Sequence, residues 1–127
     1  MSSKIHTNNA PAAIGPYSQA IVAGDLIFTS GQIPLNPETG VLEGDNIIEQ
    51  THRVCKNLDA VLTAAGGSLR SAVKTVCFLS EMSDFAAFNE VYAQYFTEKP
   101  ARSCVAVKEL PKGALVEVEV VAEKEEK

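Results

Sequence analysis

The chain has 127 residues, 46% hydrophobic and 21% charged, the make-up of one soluble globular domain spanning 1–127 with enough length for a real core. A net charge of −5 with scattered Lys and Arg gives no footprint for nucleic acid, because phosphate binding needs clustered cations. No apolar run approaches the ~20 residues of a membrane helix, and the segment from Met1 to Asn9 lacks the apolar core of a signal peptide.

In chain order, Lys4 to Thr7 reads as a short strand, and Asn8 to Pro16 is a loop that Pro11 and Pro16 keep irregular. Tyr17 to Ala23 and Leu26 to Ser30 are the arms of a hairpin turning at Gly24-Asp25. Asn36 to Gly40 is an exposed turn. Apolar residues at 47, 48, 54, 55, 58, 61, 62 and 65 predict a helix over 47–65. Asn46 with Glu49 offers a capping box at its start, and Gly66-Gly67 a left-handed stop at its end. Val73 to Leu79 is rich in β-formers. Ser83 or Asp84 caps a second helix over 85–96, whose stripe is Phe85, Phe88, Val91, Tyr92, Tyr95 and Phe96.

Pro100 closes that segment and a strand follows directly. Alternation puts Arg102, Cys104 and Ala106 on one of its faces and Ser103, Val105 and Val107 on the other. In the last strand, Leu115 to Ala122, a face of Val116, Val118, Val120 and Ala122 opposes one of Leu115, Glu117, Glu119 and Val121. If these two strands pair, Arg102 and Glu117 sit on comparable faces. The two helices must cover a sheet, and the valine faces are their natural partners. The opposite face, with Cys104, Ala106, Leu115 and Val121, is then half-apolar and uncovered, which predicts contact between subunits.

Cys55, Cys77 and Cys104 are odd in number and widely spaced, neither a disulfide framework nor a zinc pattern, so a reducing, cytoplasmic setting is expected. His6 and His52 have no partner at metal-ligand spacing, and no metal is expected.

An ordered set of motifs runs through the chain: Gly15-Pro16-Tyr17-Ser18-Gln19-Ala20, Phe28 to Pro34 with Ser30-Gly31, Gln50-Thr51 with Asn57-Leu58, Asn89 before Val91-Tyr92, Pro100-Ala101-Arg102-Ser103, and Leu110 to Ala114 before Val116-Glu117-Val118-Glu119. Each piece is weak alone. Together they cover nearly the whole chain and resemble the RidA (YjgF) family of enamine/imine deaminases. That resemblance implies an α+β, chorismate-mutase-like fold with a mixed sheet of about six strands and two helices on one face. It also implies a homotrimer with clefts between subunits and no cofactor. The implied activity is that of a 2-iminobutanoate/2-iminopropanoate deaminase, hydrolysing imines released by pyridoxal-phosphate-dependent dehydratases to 2-oxo acids and ammonia.

The resemblance places Arg102, Glu117, Tyr17, Ser30, Gly31, Asn89 and Cys104 at the site. Chemistry gives each a task. The Arg102 fork matches a planar carboxylate through two parallel hydrogen bonds. Glu117 can hold and polarise the water that attacks the imine carbon and pass a proton to the departing nitrogen. Cys104 has no histidine beside it in sequence to activate it, and an imine needs no covalent catalyst, so its expected contribution is backbone polarity and packing. From the residues alone, Tyr17 reads equally as a core-capping tyrosine, Gly31 as a bulge and Asn89 as a solvated helix residue. A non-catalytic 2-oxo-acid sensor would use the same cleft, while an RNA-directed activity is disfavoured by the acidic balance.

Overall fold

The first helix is present as α1, Ile47–Ala64, in the computed structural model, which describes residues 2–125. Its caps form as local chemistry requires. Asn46 Oδ1 accepts from the Glu49 N–H at 2.9 Å, while the Glu49 carboxylate accepts from the Asp45 N–H at 2.8 Å, one residue earlier than a strict capping box. At the other end Gly66 takes φ +95° and its N–H reaches Thr63 O, while the Gly67 N–H reaches Leu62 O, a Schellman ending that only glycine enters without strain. Of the expected stripe only Ile48 stays exposed. The second helix, α2, spans Phe85–Tyr95 and buries Phe88, Val91 and Tyr92. Asp84 stands at its N-cap but makes no side-chain cap.

Strands β1 (Ser2–Ile5), β2 (Ala20–Ala23), β3 (Leu26–Thr29), β4 (Ala72–Leu79), β5 (Ala101–Ala106) and β6 (Val116–Glu123) form one six-stranded sheet in the order β1-β2-β3-β6-β4-β5. The hairpin turns at Gly24-Asp25, with Ala23 facing Leu26. All neighbours are antiparallel except β4 and β5, which run parallel and are joined through α2. This corrects the expected pairing of the last two strands. A parallel neighbour needs a long crossover, and α2 supplies one between β4 and β5. β6 then pairs on the other side of β4, so β4 separates the strands that carry Arg102 and Glu117.

Both helices lie on one face. Val116, Val118, Val120 and Ala122 of β6 are buried beneath them with Ile27, Cys77, Leu79, Leu58 and Leu62. Fully burying each larger side chain contributes about 1.5–3 kcal/mol. For β6 the valine face is the covered one, as expected. For β5 the reverse holds: Arg102 and Cys104 lie on the helix face, while Val105 is 47% exposed on the other. Leu115 likewise packs against the core. The uncovered face has a different membership from the one expected. Its rows include Ile21, Phe28, Val121 and Lys74, then Glu119, Val76 and Ser103, then Glu117, Phe78 and Val105.

Buried amides fasten the loops. Gln19 Oε1 accepts from the Thr7 N–H at 2.7 Å, and its Nε2 donates to Thr7 O at 3.0 Å and Pro11 O at 2.8 Å. Asn57 Nδ2 donates to Leu35 O at 3.0 Å, and Gln50 Oε1 accepts from the Leu115 N–H at 2.8 Å. The irregular segments around the sheet end are thereby tied to α1 and to the hairpin.

Candidate active site

On the uncovered side, Tyr17, Ser30, Gly31 and Glu117 converge on a hollow of about 380 Å³, with Ile33 and Pro111 as further walls. Strand alternation aims Glu117 away from the helices, and Gly31 lies under its carboxylate. A Cβ added at Gly31 would come within 2.9 Å of Glu117 Cδ and closer still to its oxygen, so the glycine makes room for the acid. The Ser30 hydroxyl donates to Ser18 O and its N–H to Gln19 O, which pins the segment carrying Tyr17 beside the strand end. Tyr17 itself is 54% exposed, with its ring on the rim. Burial, and secondarily the neighbouring Glu119, push the Glu117 carboxyl above the ordinary glutamate range. Among the described residues no donor is bonded to it.

On the helix side, Arg102 and Asn89 line a second hollow of about 440 Å³ with Tyr92, Phe96, Lys99 and Pro100. Arg102 Nη1 donates to Asn89 Oδ1 at 2.7 Å, and its Cζ lies 4.8 Å from the Tyr92 ring centroid and 5.4 Å from that of Phe85. The two rings hold the guanidinium by cation–π attraction. Tyr92 is fixed in turn by a 2.7 Å hydrogen bond between its hydroxyl and that of the buried Thr75. Among the described residues no carboxylate pairs with Arg102, so most of its donor fork is free for an anion. Cys104 shares this face. Burial raises its thiol pKa, and the nearby Arg102 only partly opposes that, so it is a neutral thiol and no ready nucleophile.

The seven expected residues thus fall into two groups. Tyr17, Ser30, Gly31 and Glu117 meet; Arg102 and Asn89 meet, with Cys104 on their side. The register shows why one chain does not join them. Arg102 faces Thr75, which points at α2, whereas Glu117 faces Phe78, an odd number of residues further along the same strand. Arg102 and Glu117 therefore lie on opposite faces, which corrects the expectation of comparable ones. Asn89 is no idle solvated residue; it orients the fork. Tyr92 and Phe85, read as core, also carry the guanidinium, and the spacing of Asn89 and Tyr92 on one helical face was the available signal. Ile33 and Pro111 sat in the motifs without a role. Among the described residues no cluster of His, Cys, Asp and Glu is placed to hold a metal. The His52 ring nitrogen bonds the Tyr95 hydroxyl at 2.8 Å instead.

Comparison with known proteins adds to this geometry. The family model described as endoribonuclease L-PSP matches residues 7–124. A RutC family protein of Pyrococcus horikoshii is 52% identical over 126 residues, 98% of this chain and 100% of the relative. The 2-iminobutanoate/2-iminopropanoate deaminase of Escherichia coli is 46% identical over 126 residues, covering 96% of this chain and 98% of that one. Among solved structures, a Thermotoga maritima protein described as a putative endoribonuclease superposes with a TM-score of 0.95 at 50% identity, over 99% of this chain and 100% of its own.

Proposed function

Because the chain belongs to the endoribonuclease L-PSP family, also called YjgF/RutC, we propose that it hydrolyses reactive 2-imino acids to 2-oxo acids and ammonia in clefts shared between neighbouring copies of a homotrimer. The observation that carries this reading is the Arg102 guanidinium, oriented by Asn89 and stacked on Tyr92, with no carboxylate among the described residues to bind. Its chemical complement is a planar carboxylate next to the reacting carbon. The Escherichia coli relative that carries the deaminase name lends support from sequence. The half-apolar sheet face supports association, which would set the Glu117 hollow of one copy against the Arg102 hollow of the next.

The chemistry needs little more than these groups. Arg102 takes the substrate carboxylate in a two-point grip and fixes the imine carbon. Glu117 accepts a proton from a bound water as the water oxygen attacks that carbon of the nitrogen-protonated imine, giving a neutral carbinolamine. The proton then goes to nitrogen, the C–N bond breaks, ammonia leaves, and the hydroxyl proton is lost as the 2-oxo acid forms. A carboxyl raised by its burial suits this exchange, because it holds and releases a proton nearer neutral pH than a free glutamate. Tyr17 closes the rim. No bond to protein forms, in keeping with a neutral Cys104 thiol.

The test couples an amino-acid oxidase, which releases imine, to this protein in the presence of semicarbazide, and follows imine diverted from the trap. Wild-type protein should suppress semicarbazone formation. Losing two charge-assisted hydrogen bonds of about 1.5–3 kcal/mol each should lower kcat/KM of Arg102→Ala by roughly 10²–10⁴-fold. Tight 2-oxo-acid binding with no imine hydrolysis would instead make the cleft a sensor. Salt-sensitive RNA cleavage that survives Arg102→Ala would point to the activity in the family description.

A further inference from the structure

Thr75 is a polar residue where an apolar one would pack. It stands on β4 with Val120 of β6 on one side and Arg102 of β5 on the other, and it is fully buried. A valine there has nearly the same shape and no hydroxyl to desolvate, so the threonine needs a bonded partner to be tolerated. Gln19, Gln50, Thr51 and Asn57, also buried, fasten main-chain groups. The Thr75 hydroxyl bonds side chains instead: the Tyr92 hydroxyl at 2.7 Å and the Cys77 thiol, which donates to it, at 3.8 Å.

We propose that Thr75 is a positioning residue for the carboxylate grip, acting through Tyr92 on Arg102 without touching the substrate. The inference rests on the deaminase reading. The contacts close on themselves. Arg102 and Thr75 are partners in the parallel β4–β5 ladder, so both side chains leave the sheet on the α2 side. The Arg102 guanidinium lies over the Tyr92 ring, and the Tyr92 hydroxyl returns to Thr75. Asn89, on the same face of α2 as Tyr92, holds the edge of the guanidinium while the ring sets its plane. Phe88 and Phe96 flank Tyr92, with ring centroids at 5.4 and 4.5 Å. Such packing confines the ring but is non-directional, whereas a hydrogen bond prefers one line of approach. The β-branched threonine has few χ1 states, so its hydroxyl is aimed before substrate arrives. Without that bond the Tyr92 hydroxyl is stranded in the core, and turning outward to reach water tilts the platform under the guanidinium.

The experiment compares three variants. Thr75→Val removes the hydroxyl, Thr75→Ser keeps it, and Thr51→Val removes an equally buried hydroxyl that bonds Ile47 O within α1. Each is assayed by semicarbazide competition on the alanine-derived imine and by calorimetric titration with 2-oxobutanoate. Thr75→Val should lower kcat/KM by about 10–10²-fold, with KM rising more than kcat falls, and should weaken 2-oxobutanoate binding. Thr75→Ser should stay within about threefold of wild type, and Thr51→Val within about twofold. The losses in Thr75→Val and Tyr92→Phe should not add, because both break one bond. Equal losses in folded Thr75→Val and Thr51→Val overturn the positioning role and leave the deaminase reading standing, as do additive losses in the double variant. Should Thr75→Val fail to fold, Tyr92→Phe breaks the same bond from its other end, and full activity there overturns the role. No hydrolysis of the imine by the wild type removes the functional reading and this inference with it.

Discussion

Glu117 is the residue whose ionisation matters most. Burial and Glu119 raise its pKa in the folded chain, so between the unfolded value and the raised one the folded state binds more protons. Stability therefore falls as pH rises through that window, the reverse of a salt-bridged carboxylate. Glu117→Gln should flatten this slope, raise Tm at neutral pH and abolish imine hydrolysis; thermal melts at several pH values together with the trap assay check all three. Cys104 gives the opposite contrast. Its pKa is also raised by burial, so Cys104→Ser should keep kcat within about tenfold, whereas a nucleophilic thiol would lose at least ~10³-fold. Residue types were legible in the sequence, because a guanidinium and a carboxylate in family motifs carry their chemistry with them. Their faces were not. Alternation sorts Arg102 from Ser103 and Glu117 from Val118, but it does not say which face of β5 the helices cover.

The elements explain that gap. α1 was readable because its signals are local: the apolar period, Asn46 at one end and Gly66-Gly67 at the other. The place of β4 between β6 and β5 is set by the α2 crossover, a long-range consequence that no window of residues encodes. The buried amides were likewise visible only as motif letters, Gln50-Thr51 and Asn57-Leu58, until their partners appeared. Asn57 is fully buried, donates to Leu35 O and accepts from Arg53 Nε at 3.1 Å. Asn57→Ala strands the Leu35 carbonyl and the guanidinium edge together. It should cost about 1–3 kcal/mol by denaturant unfolding. It should also loosen the Ile33–Leu35 segment, so that KM for imine rises more than kcat falls.

At the scale of the molecule, the decisive fact is that one sheet separates Arg102 from Glu117, the two groups the proposed hydrolysis needs. A single chain presents Glu117 on the uncovered face and Arg102 on the helix face, so the proposed cleft requires a second copy. Phe28 at 42% exposure and Val105 at 47% mark the face that association would cover. Phe28→Glu should lower the solution mass from about three times that of one chain toward one, and activity should fall with it. Complementation is the stricter test. Arg102→Ala copies keep Glu117, and Glu117→Ala copies keep Arg102, so each homotrimer alone is inactive. Co-expressed in equal amounts they assemble at random, and a given cleft then draws an intact Arg102 and an intact Glu117 from neighbouring copies about one time in four. Every mixed trimer then holds one intact cleft in three, so the unfractionated population should recover about a quarter of wild-type activity and the mixed species, purified by two tags, about a third. A site built within one chain would recover nothing, because every copy would still lack one of its two groups.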